Sequence, residues 1–275
     1  MTYGLLTNKP VQKLYPIALA DKSWDNTGLL VDASEPSENE SNDEKVNILL
    51  AIDLTQNVCD EAIKHKTNLI MAYHPFIFRG LKSITPQDPQ QTSLIKLIKN
   101  NISVYCPHTA VDSAKGGVND FLGDGIVGDS EQASREVIEP NEQYDDCGMG
   151  RLITLSKPVE LNQLVGNVKK SLNLNHVQVA LARNETINHK ISTIAICAGS
   201  GGSVFKGVNA DLYYTGELSH HEALYFTESG SSVITTNHSN SERAFLSALK
   251  EQLAKEIDGA NIIISQEDKD PFSVY

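Results

Sequence analysis

A chain of 275 residues, 40% of them hydrophobic and 21% charged, has ordinary globular composition and exceeds the usual size of a single core, so two lobes are expected. A formal net charge of −12 argues against nucleic acid as the main partner, because a grip on phosphate backbones needs clustered Lys and Arg. No apolar run approaches the roughly 20 residues that a membrane span needs.

The elements follow in chain order. Val11, Leu14, Tyr15, Ala18 and Leu19 recur at helical spacing within Lys9 to Lys22, with Pro16 as a kink or break. The next stretch, WDNTGLLV, carries the only Trp of the chain. Trp24 stands beside a turn-prone Asp-Asn-Thr-Gly, which makes it a candidate core anchor before an apolar strand. Ser34 to Lys45 is polar, with four Glu and one Asp, and is expected to be a solvated loop. A regular unit comes after it: a strand at Val46 to Asp53, an N-cap at Thr55, a helix from Asn57 to Lys66 and a strand at Asn68 to Tyr73. A further helix, Thr92 to Asn100, leads to a strand that ends at His108.

The second half has the same plan. Ile191 to Cys197 is a strand, Gly199-Ser200-Gly201-Gly202 a tight turn before a short helix, Asp211 to Thr215 a strand, Glu222 to Ser229 a helix and Ser232 to Asn237 a strand. ILLAID, LIMAYH and SVYCPH in the first half correspond to IAICAG, LYYTGE and VITTNH in the second, which implies an internal duplication of a strand-helix unit. Between them lies a charged, turn-rich run from Asp129 to Asp146 and a β-α-β segment over Gly148 to Leu155, Glu160 to Leu172 and His176 to Leu181. A long amphipathic helix over Glu242 to Ile257 and a strand at Asn261 to Ser265 close the pattern. The expected fold is α/β, with two similar lobes and mixed sheets: a first lobe over 1–125, a bridging segment over 126–190 and a second lobe over 191–275.

Two of these strand ends carry chemistry. His108 and His238 each close an apolar run, and each is followed four positions later by an acid, Asp112 and Glu242. Singly, such a histidine is more often a hydrogen-bonding loop residue. As a pair they suggest ligands gathered at the carboxyl ends of an open sheet, where imidazole and carboxylate suit Zn, Mn or Fe. Gly199 to Gly202 lacks the Lys-Ser/Thr of a phosphate loop, His220-His221 are adjacent loop residues that tend to point apart, and Gly116-Gly117 lets the backbone turn closely. Cys59, Cys106, Cys147 and Cys197 show no CxxC spacing, and no basic region precedes an apolar core at the N-terminus. An intracellular, reduced, cytoplasmic protein is expected, with nucleus and mitochondrion as open alternatives.

WDNTGLLV, AIDLT, YHPFIFRGLKSI, HTAVDSAKGGVND, NADLYYTGELSHHEAL and NHSNSE together resemble the NIF-three-like family, whose members are often labelled GTP cyclohydrolase type-two homologues. The resemblance implies two intertwined α/β lobes and, as in bacterial relatives, a ring-shaped hexamer or other homo-oligomer around one or two divalent metals per chain. It implies the ligands His74, Asp112, His238 and Glu242, with Glu242 bridging, and makes His108 either a ligand or a support for one. Bacterial relatives carry two histidines before the proline, whereas this chain has Tyr73 and then His74. A phenol costs more to ionise than an imidazole, so Tyr73 is expected to donate a hydrogen bond and a second ion to be weakly held. Two functions follow: a metal-dependent hydrolase acting on a nucleotide or phosphoester, or a non-enzymatic metal-binding regulatory or scaffold protein that works through partners. The catalytic residues, and whether the chain is an enzyme at all, are left open by the sequence.

Overall fold

Apolar strands alternating with helices make up the computed structural model, which describes residues 3–34 and 45–274, with side chains from Lys9 onward. The expected polar loop over Ser34 to Lys45 lies almost wholly outside the described residues. Helix α1 (Tyr3–Leu14) begins earlier than Lys9 and tolerates Pro10 within it, and Pro16 then breaks the path before a 3-10 turn at Ile17–Leu19. After β1 (Gly28–Val31) comes the regular unit: β2 (Asn47–Ala51), α2 (Gln56–Lys64) and β3 (Leu69–Ala72). The Thr55 side chain caps α2 by accepting from the Val58 amide, as expected. Helix α3 (Pro89–Lys99) is capped by Asp88 and starts on a proline, where the missing N–H has no helical partner to lose.

Past β4 (Ser103–Cys106) the chain forms α4 (Thr109–Ser113) and α5 (Val118–Val127), two helices absent from the expected elements. Then come β5 (Gln132–Pro140), β6 (Gly148–Glu160), α6 (Leu161–Ser171), β7 (Gln178–Ala180) and β8 (Lys190–Ser200). The second repeat continues as β9 (Leu212–Glu217), α7 (His220–Glu228) and β10 (Ser232–Thr235). The last elements are α8 (Asn240–Arg243), α9 (Phe245–Glu256) and β11 (Asn261–Ile264), so the single helix expected over Glu242 to Ile257 is divided at Ala244. The segment after Gly202 is a turn rather than a short helix.

The fold is α/β with two mixed sheets. The first runs β1-β4-β3-β2-β11, with β11, β2, β3 and β4 parallel and β1 antiparallel at the edge. The second runs β5-β6-β8-β9-β10-β7, with β8, β9 and β10 parallel and each flanking strand antiparallel to the neighbour it pairs with on the inner side. Each sheet thus holds three strands in sequence order and parallel, β2-β3-β4 and β8-β9-β10, the two triplets that the sequence pairs as repeats. Their near-continuous apolar runs reflect burial: every residue of β3 and β4 is buried.

Two compact units result, one from residues 1–111 with 246–275, the other from 112–245. This differs from the division at 125 and 190. Strands β5, β6 and β7 flank the second triplet in one sheet and form no separate bridge. Strand β5 falls in the run expected to be turns, because its half-exposed edge position accepts Arg135, Glu136 and Glu139. Strand β11 belongs to the first unit, where it pairs in parallel with β2 and the Asp268 carboxylate accepts from the Ile52 amide at 2.7 Å. In the first unit Leu49, Val58, Ala62, Ile70, Leu97 and Val104 pack as one core cluster, and in the second Ala195, Phe205, Tyr213, Phe226 and Val233 pack as another.

Candidate functional site

In the first unit the carboxyl ends of β3 and β4 place His74 and His108 with their ring centroids 5.5 Å apart, and the buried Tyr73 lies edge-on to both. The His74 Nδ1 lies 2.9 Å from Asp53, which follows β2, and the His108 Nδ1 lies 2.7 Å from Asp25 in the loop before β1. His108 has φ +33, a region non-glycine residues rarely occupy. Asp25 counters that strain. It accepts from the histidine, from the Thr109 amide at 3.3 Å and from the Thr109 hydroxyl. Burial pushes the Asp25 carboxyl up, but the hydrogen bonds from His108 and Thr109 outweigh it and hold the group below the usual carboxylate range.

Trp24 is no core anchor. Its indole is 51% exposed, donates its N–H to Asp21 at 2.8 Å and stands at 83° to the His108 ring. The turn that sequence reading made a core feature serves instead to carry Asp25 to His108.

In the second unit the segment just past β10 carries His238, whose Nδ1 lies 2.9 Å from Glu217 at the end of β9. Its Nε2 lies 3.6 Å from a Glu242 oxygen, four residues along, and Glu242 is 3% exposed. Asp112 is buried as well and lies, with Glu242, near enough to Cys197 that both charges add to the burial that pushes that thiol well up. Gly199 closes this side. Its φ is +62, and a Cβ there would stand 3.0 Å from His238 Nε2 and 3.1 Å from Glu242 Oε1, so the backbone leaves the two donor atoms room that any side chain would fill.

The residues fit a divalent ion by the chemistry of their donors. With Nδ1–H given to a carboxylate, the tautomer leaves a lone pair on Nε2, the usual posture of a metal-binding histidine, and His74, His108 and His238 all have such a partner. His74, His238 and Glu242 each offer one ligand atom. Ligands about 2.0 to 2.2 Å from a tetrahedral ion stand about 3.3 to 3.6 Å apart, the range of the His238–Glu242 pair.

Sequence reading missed Asp53, Asp25, Glu217 and Gly199. A signal for the acids existed, since each sits at a strand end or in a turn inside a motif already singled out: AIDLT, WDNTG and YYTGE. His220 and His221 open α7 beside each other, exposed, their rings 5.4 Å apart, on a helix capped by Ser219 and Glu222. Gly116 accepts a turn at φ +73 and donates its amide to Asp120, a structural role.

Comparison with known proteins agrees with this architecture. The chain is 45% identical to NGG1-interacting factor 3 of Saccharomyces cerevisiae, over 97% of this chain and 95% of that protein. It is 47% identical to the NIF3 homolog of Schizosaccharomyces pombe, over 96% and 95%. Among solved structures, a Bacillus cereus protein related to NIF3 matches with a TM-score of 0.82 at 22% identity, covering 99% of each chain. No helix among the described residues is long and apolar enough to cross a membrane. The family model for Duf34/NIF3 (NGG1p interacting factor 3) matches residues 7–271, and the chain belongs to that family.

Proposed function

We propose that the chain binds a divalent metal, Zn, Mn or Fe, through His74, Asp112, His238 and Glu242, and hydrolyses a nucleotide or phosphoester there. The observation that carries this reading is the shared posture of His74, His108 and His238, each with Nδ1 held by a carboxylate. When bound, the metal supplies a Lewis acid that polarises the bond to be cleaved and eases the ionisation of water. The protein's own part is positional. Asp53 and Glu217 fix the imidazole tautomers, Gly199 keeps side chains away from His238 and Glu242, and Tyr73 offers a hydroxyl where bacterial relatives have a second histidine. His108 either supports a ligand or acts as one. We take the chain to assemble as a homo-oligomer.

A second reading is a metal-binding protein that acts through partners. The name of the yeast relative, an interacting factor, favours it. Hydrolysis of a nucleotide and phosphoester panel with added Mn or Zn, lost in Glu242→Ala, supports the first reading. A silent panel with metal-dependent capture of a partner supports the second.

A further inference from the structure

Trp24 is the one tryptophan of the chain, and about half of it is open to solvent. Tryptophan is among the most buried residue types on average, so a half-open indole held in a fixed orientation is informative. The Trp24 indole N–H donates to Asp21, and Asp21 is itself fixed by the Ser23 hydroxyl at 2.6 Å and the Ser23 amide at 2.9 Å. With its only polar atom committed, the ring offers a π face and no donor. The surrounding loop is tied twice more: Asn26 donates to the Ile77 carbonyl, and Asp25 accepts from His108 and Thr109. That first tie brings Phe78, 46% exposed, to 6.1 Å from Trp24 at a tilt of 54°. The two rings are neighbours and both about half exposed, so together they offer an open aromatic surface.

Trp24 also lies 5.6 Å from His108, whose ring stands at 83° to the indole, and His108 lies 5.5 Å from His74. A flat ring laid on the indole would therefore lie close to an imidazole. We propose that Trp24, backed by Phe78, is the stacking platform for a planar heteroaromatic ring, such as a nucleobase, whose polar edge faces His108. The proposal rests on the nucleotide reading of the site and names the residue that receives the base. Stacking tolerates any base, since each has a π face, so the platform sets affinity for ring-bearing ligands over ring-free ones more than it discriminates among bases.

The single tryptophan makes the test direct. Adenosine, guanosine, cytidine and ribose 5-phosphate are titrated into the purified full chain while Trp24 emission is followed, and affinities are repeated by equilibrium dialysis with Trp24→Leu and Trp24→Phe. The expected result is saturable quenching by nucleosides and none by ribose 5-phosphate. Trp24→Leu should weaken nucleoside binding about 5- to 150-fold while Trp24→Phe keeps most of it, and metal content should be unchanged in both. No saturable quenching, or unaltered nucleoside affinity in Trp24→Leu, overturns the proposal. So does a shift of Trp24→Leu from oligomer to monomer together with shielding of Trp24 from acrylamide in the parent oligomer, which would make the platform an interface between copies. Nucleoside quenching in a chain that takes up no metal would sink the hydrolase reading and leave the platform standing; metal-dependent hydrolysis without quenching would do the reverse.

Discussion

The ends of β3 and β4 carry two histidines, His74 and His108, where the corresponding ends of β9 and β10 carry Glu217 and His238. The scaffold is repeated but the donors are not. The first unit brings in its orienting acids from outside the pair, Asp53 from the end of β2 and Asp25 from the loop before β1. The second makes the strand-end acid itself the partner of the histidine. At the position matching Asp53 it has Gly199, which lets the main chain approach His238 and Glu242. A duplicated frame thus gives one half rich in imidazole and another in which carboxylate and imidazole alternate, and the two halves are expected to differ in what each tolerates.

The largest effect should come from Glu242→Ala, which removes a buried donor rather than its support. Metal titration should show a loss well beyond the 10- to 100-fold typical of outer partners, and parent-like binding would remove Glu242 from the site. Gly199→Ala should follow. A Cβ at φ +62 and 3.0 Å from an imidazole is expected to destabilise by more than about 1 kcal/mol in urea unfolding and to lower metal uptake. The comparison is sharpened by measuring Asp25→Asn beside Glu217→Gln: a drop in metal affinity of about 10- to 100-fold in both would mean that the two halves do the same work. If only Glu217→Gln matters, His108 is a loop residue and the likeness between the halves is architectural. Tyr73→His should raise occupancy of a second ion, and an unchanged stoichiometry would end the argument from the missing histidine. The smallest effect is expected from Trp24→Ala, within about 1 kcal/mol of parent stability by thermal or urea unfolding because the ring is half open.

The strand-end histidines were legible because a periodic apolar run announces its own end, and His74, His108 and His238 follow such runs. Their acids were not, because which carboxylate meets which imidazole depends on strands lying side by side, and β2 beside β3 is a tertiary fact. Trp24 was misjudged for a related reason: hydrophobicity suggests an interior, while a single hydrogen bond from Nε1 to Asp21 can hold the ring at the surface. Strand β5 was hidden by its charged, half-exposed residues. Strand β11 was legible as a strand and misassigned in its lobe, since pairing Ile264 with Leu50 leaves no trace in local sequence.

That last pairing bears on how the chain comes to fold during synthesis. The first unit cannot complete its sheet when β2, β3 and β4 have emerged, because β11 is made only after the whole of 112–245. Until then β2 presents an open edge whose residues Ile48, Leu49 and Leu50 are fully buried in the finished structure. The second unit, by contrast, is one continuous stretch and has all its strands before β11 exists. It can therefore finish first, and the first unit must wait through a long-range closure of the kind that slows folding and exposes strands to association. A nascent chain stalled just short of Asn261 should accordingly be the form most in need of a chaperone.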